Sequence, residues 1–105
     1  MPPTPLTREE VVERLGSVEA QVRRLGVRRL ALFGSFARGE ARADSDVDVL
    51  VEFQPDRKTF DAFLSLANLL EEVLQRRVDL VTTEGLSPYV GPHILAEAVD
   101  VVRAA

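Results

Sequence analysis

The chain has no cysteine, one histidine, one tyrosine and one methionine. Without cysteine, disulfides, zinc-thiolate sites and cysteine nucleophiles are all excluded. The lone histidine, His93, rules out a histidine pair for metal and reads as a surface or helix-start residue. No apolar run approaches the roughly 20 residues of a membrane span, and the N-terminus lacks the basic-then-apolar order of a secretory leader. The expectation is a soluble cytoplasmic protein with no membrane partner. Basic surplus is absent too. A formal charge of -4 argues against nucleic-acid binding driven by phosphate neutralisation. Arg23, Arg24, Arg28 and Arg29 cluster in sequence, but a solvated helix end and strand start explain them. Internal repeats and low-complexity segments are also missing.

What is present is ordinary globular composition, 46% hydrophobic and 29% charged over 105 residues. That length makes one domain, residues 1–105, burying roughly two-thirds of its unfolded surface. So small a domain suits an open cleft, closed by a partner or by a homo- or hetero-oligomer.

Met1 to Pro5 carries three prolines and reads as a loose lead-in. Thr7-Arg8-Glu9-Glu10 has the form of a capping box, with Leu6 and Val11 placed as a hydrophobic staple. Val11, Leu15, Val18, Val22 and Leu25 then make one apolar helical stripe, which Gly26 ends. Arg29 to Phe33 is a short strand broken by Gly34, and Phe36 to Glu40 suits one or two helical turns. From Asp46 to Phe53 the residues alternate. Val47, Val49, Val51 and Phe53 point to one face, and Asp46, Asp48, Leu50 and Glu52 to the other. Thr59 to Gln75 predicts a second helix with Phe60, Phe63, Leu64, Ala67, Leu70 and Leu74 on its apolar side. Phe60 and Phe63 read as core. Val78 to Thr82 predicts a third strand, Pro92 to Val99 a last helix, and residues 99–103 either its continuation or an edge strand. Tyr89 could touch a partner or a nucleotide base, but reads first as anchoring its Pro/Gly-rich loop on the domain. Alternating helices and strands give an α/β class with helices packed on a small sheet.

Asp46 and Asp48 lie two apart on a strand, so both carboxylates leave the same face. Carboxylates held that close repel, and a divalent oxygen-loving cation, Mg²⁺ before others, resolves the repulsion. Asp79, near the start of another strand, supplies a third if the strands are neighbours. Three carboxylates can bridge two metals roughly 3.5–4 Å apart, the arrangement that clamps attacking and leaving oxygens in phosphoryl or nucleotidyl transfer. Gly34 allows close backbone approach to a ligand. Ser35 offers a hydroxyl and an amide at the cap of the short helix, and Arg38 a positive charge suited to phosphate. Asp-x-Asp alone often marks a turn or strand start, Gly-Ser alone is an ordinary turn, and Asp79 alone is a strand-end residue. The combination is what informs. One topological condition follows. Ser35 leaves the first strand where Asp46 enters the second, and parallel neighbours would set these about 17–20 Å apart. If the two form one site, the strands are antiparallel and the sheet is mixed.

Gly34-Ser35, ten intervening residues, then Asp46-Val47-Asp48 resembles the signature of the minimal nucleotidyltransferases of the DNA polymerase β-like superfamily. Arg38-Gly39 and Ser45 also match the common form of the motif, and Arg77-Val78-Asp79-Leu80-Val81 looks like the family's third-acid strand. The resemblance covers nearly the whole chain. It implies the polymerase β-like fold with Asp46, Asp48 and Asp79 as catalytic metal ligands for two Mg²⁺ (or Mn²⁺) ions. Gly34, Ser35, Arg38 and Ser45 would hold the nucleotide. It further implies transfer of NMP, foremost AMP from ATP, to a hydroxyl, with pyrophosphate leaving. Members are commonly paired with a HEPN-domain, RNase-like toxin, and some adenylylate a tyrosine of that partner as type VII-like antitoxins. The alternative is a non-catalytic nucleotide-binding antitoxin that silences a HEPN partner by complex formation alone.

Overall fold

The computed structural model describes residues 6–103. The capping box forms as written. Thr7 Oγ1 accepts from the Glu10 N–H at 3.1 Å, and Glu10 Oε1 accepts from the Thr7 N–H at 3.3 Å. Leu6 and Val11 both enter the main core.

The expected single helix is two, α1 (Arg8–Ser17) and α2 (Glu19–Arg24), joined through Val18 at φ -110, ψ 17. Gly16 and Ser17 are poor helix formers, and the Ser17 hydroxyl turns back on the Arg14 carbonyl at 2.6 Å. Val11, Leu15, Val18 and Val22 are nonetheless all buried, so the break preserves the apolar stripe. Gly26, at φ +90, then turns the chain into β1 (Val27–Phe33).

After β1 come α3 (Gly34–Arg38), β2 (Val47–Phe53) and α4 (Phe60–Leu74). They are followed by β3 (Val78–Thr82), a 3-10 turn (Thr83–Gly85), α5 (Gly91–Glu97) and β4 (Val99–Arg103). The sheet order is β3-β2-β1-β4. β1 pairs antiparallel with β2 and with β4, while β2 and β3 run parallel, so the sheet is mixed as the site required. Residues 99–103 resolve as the edge strand.

The sheet is covered unequally. Leu30, Leu32, Val47, Val49, Val51 and Phe53 face the main core with α1, α2 and α4. Ala31, Phe33 and Leu50 face a smaller cluster with Val81, Leu86, Ile94 and Ala98. α4 departs from expectation at its start. Leu66, Leu70 and Leu74 are its buried residues and Phe63 is half-buried, whereas Phe60 is 77% exposed. The helix is apolar on more than one side, so periodicity alone could not choose the face. Tyr89 is 85% exposed and does not anchor its loop. His93 is exposed, as expected. Among the described residues no helix is long and apolar enough to cross a membrane.

Candidate active site

The site begins where β1 ends. Gly34 takes φ +73, a conformation that L side chains rarely adopt. A Cβ placed there would run into the Asp48 carboxylate, 2.9 Å from its Cγ. Glycine is therefore needed twice, for the turn and for the acid beside it. α3 follows, starting at Gly34 itself. Its flanking residue, Phe33, makes no side-chain cap bond. Ser35 thus lies one residue inside the helix and does not cap it. Phe36 and Ala37 fix α3 to the main core.

The ladder sets the acids. Phe33 pairs with Asp48 across β1 and β2, and Asp48 pairs with Asp79 across β2 and β3. Direct partners in a ladder project to the same face, here the face of the smaller apolar cluster. Asp46 sits immediately before β2, exposed, on a turn with three supports. Arg42 N–H donates to Ser45 Oγ at 2.8 Å, Ser45 N–H to the Arg42 carbonyl at 3.1 Å, and Arg76 Nη1 to the Ala43 carbonyl at 2.6 Å. Val47 N–H donates to the Arg77 carbonyl at 2.9 Å, tying the turn to the approach of β3. Ser45 thus shapes the turn that presents Asp46, and its hydroxyl proton stays available to donate.

Asp48 is half-buried and is repelled by the acids beside it. Burial pushes its carboxyl above the usual range, and the charges of Asp79 and then Asp46 push it further. Such crowded hard oxygens suit a divalent cation. Among the described residues no group of three or more His, Cys, Asp and Glu is gathered closely enough to hold an ion as placed. Asp46, Asp48 and Asp79 therefore do not form such a group.

One acid had no signal in the sequence. Glu97, the last residue of α5, accepts from the Gly34 N–H at 3.0 Å. It also takes Arg38 Nη1 at 3.0 and 3.3 Å on its two oxygens, and Arg38 Nε pairs with Glu40 at 3.2 Å. The Gly34 N–H holds the Glu97 carboxyl below its usual range, opposed by burial and helped further by Arg38. The β1–β4 pairing and the packing of α5 on α3 and β1 bring residue 97 to residue 34. A separate open cleft of about 360 Å³, between α3 and the start of α1, contains Arg38 and none of the three aspartates.

A small mixed sheet with Gly-Ser at one strand exit and paired aspartates on the next two strands defines a nucleotidyltransferase domain. The family model for the nucleotidyltransferase domain matches residues 15–101, and the chain belongs to that family. Within it, the chain is a minimal nucleotidyltransferase. It is 41% identical over 97 residues to protein adenylyltransferase MntA of Thermococcus cleftensis, covering 91% of this chain and 97% of the relative. A solved structure described as a minimal nucleotidyltransferase superposes with TM-score 0.80 at 39% identity, over 92% of this chain and 98% of that one. The fold also recurs in a structure of tri-AMPylated Shewanella oneidensis HEPN toxin in complex with MNT antitoxin. There the TM-score is 0.63 at 19% identity, over 93% of this chain and 74% of the other.

Proposed function

We propose that this nucleotidyltransferase moves AMP from ATP to a tyrosine hydroxyl of a HEPN-type protein in the cytoplasm, and thereby acts as its antitoxin. The observation that carries the reading is the Asp48–Asp79 ladder pair beside Gly34, in a chain 41% identical to a protein adenylyltransferase.

Gly34 and Ser35 hold the triphosphate, with Arg38 and Ser45 as further polar contacts. Asp46, Asp48 and Asp79 would hold divalent ions, Mg²⁺ or Mn²⁺. Such ions, when bound, offset the charge of the triphosphate and of the leaving pyrophosphate. The acceptor oxygen attacks the α-phosphorus. The new O–P bond forms as the bond from that phosphorus to the bridging oxygen breaks, and pyrophosphate leaves with the electron pair. Asp79, exposed on β3, takes the proton from the acceptor hydroxyl. The sheet face that carries the acids is covered only by a small cluster and a short helix, so the site is open enough for a protein acceptor.

The test is incubation with α-labelled ATP, Mg²⁺ and a candidate HEPN-type protein from the adjacent reading frame, comparing wild type with Asp48→Asn. Label on the partner, lost in the variant, supports the reading. Binding and silencing of the partner by both proteins without label would replace it with inhibition by complex formation.

A further inference from the structure

Glu97 occupies the donors that an incoming phosphate needs. The Gly34 N–H has a carboxylate oxygen at 3.0 Å, and Arg38 Nη1 spans both oxygens of the same carboxylate. These groups only donate, and a carboxylate and a phosphate oxygen ask the same thing of them. One N–H cannot serve both in good geometry. We propose that Glu97 is an internal competitor of the nucleotide, an autoinhibitory contact that the triphosphate must displace; this rests on the assignment of Gly34 and Arg38 to phosphate binding.

The fold makes this a side-chain movement. Ile94 and Ala98 pack α5 and its exit on the sheet, and β4 begins at Val99, paired with Leu32. The backbone on either side of Glu97 is therefore held, and the carboxylate leaves by rotating towards solvent. Departure is easy because the carboxylate–guanidinium contact is partly exposed, with side-chain exposures of 46% for Arg38 and 29% for Glu97. Removal of Glu97 also lightens the negative field at Asp48, which Glu97 augments. The role differs from that of Glu40. Glu40 pairs with Arg38 at 3.2 Å but makes no bond to Gly34.

Equilibrium binding of a non-transferable ATP analogue with Mg²⁺ tests the proposal on the full chain. Glu97→Gln keeps the size and loses the charge, and should tighten binding roughly two- to fivefold, the range expected for releasing an exposed ion pair. Glu97→Ala should do the same, so a folding defect in one variant leaves the other to decide. Glu40→Gln should change affinity much less. Unchanged or weaker binding in both Glu97 variants overturns the proposal, because Glu97 would then be orienting Arg38 or doing nothing. Equal tightening by Glu40→Gln also overturns it, since general charge would suffice. If folded wild type and variants all fail to bind the analogue, the nucleotide reading itself fails, and this inference with it.

Discussion

Asp48 and Asp79 are direct partners in the parallel ladder between β2 and β3, although 31 positions separate them in the chain. Their carboxylates share a face, beside a glycine that leaves room for one of them. A domain that needed only a scaffold would gain from apolar residues there. Asp48→Asn and Asp79→Asn should each lower AMP transfer on the order of 10²–10⁴-fold, the scale of several kcal/mol of transition-state charge stabilisation. Both variants should keep the wild-type circular dichroism spectrum. Single-turnover rates with labelled ATP decide it, and near-wild-type rates in either variant would remove that acid from the mechanism.

The same Asp48 makes the fold less stable than it need be. Its carboxyl is raised by burial and then by Asp79 and Asp46, so the native state binds its proton more tightly than the unfolded chain does. In acid both states carry the proton and no cost arises. As pH rises through the carboxylate range the native state loses stability, and at neutral pH the cost is fully present. Asp48→Asn should therefore raise Tm by a few degrees at pH 7 and by less at pH 4. Mg²⁺ should raise the Tm of wild type more than that of the variant, because the ion would bind the native carboxylates. Differential scanning calorimetry at the two pH values, with and without Mg²⁺, reads both effects. A variant less stable than wild type at pH 7 would contradict the first.

Local rules carried the legible part of this fold. Thr7 with Glu10, the alternation from Val47 to Phe53, and the strand-ending Gly34 each act within a few residues, and each forms as its sequence implies. The antiparallel pairing of β1 with β2 was legible only through chemistry, because one site had to hold both Ser35 and Asp46. Register was not legible, and neither was the Glu97 contact, since both depend on β-pairing between distant segments. The exposed Phe60 escaped for a different reason. A helix with apolar residues on several sides can turn any of them inward, and packing against β-strands and α1 chose Leu66, Leu70 and Leu74.

Gly34→Ala should damage both stability and activity. The left-handed backbone alone costs a non-glycine residue about 1–2 kcal/mol, and the new methyl must push Asp48 aside. Chemical denaturation should report a loss of at least about that size. Transfer should fall further than the unfolded fraction explains, because Asp48 is displaced even in folded molecules. Activity that tracks the folded fraction alone would mean that the Gly34–Asp48 contact has no catalytic consequence.

Arg76 reaches back from the end of α4 to hold the turn that presents Asp46, through a 2.6 Å bond from Nη1 to the Ala43 carbonyl. It touches none of the proposed reacting groups, so its effect runs through the placement of Asp46. The turn keeps its own bonds between Arg42 and Ser45, so Arg76→Ala should loosen the turn without unfolding it. Misplacement by about 1 Å can cost on the order of 10²-fold in rate. The expected loss is smaller, about tenfold in kcat, with the KM for ATP little changed if Gly34 and Ser35 carry most of the triphosphate binding. Arg76→Lys retains a donor that can reach a carbonyl and should recover much of the rate. Steady-state kinetics of the two variants separate this from simple instability. An Arg76→Lys variant as impaired as Arg76→Ala would show that the carbonyl contact is not what matters.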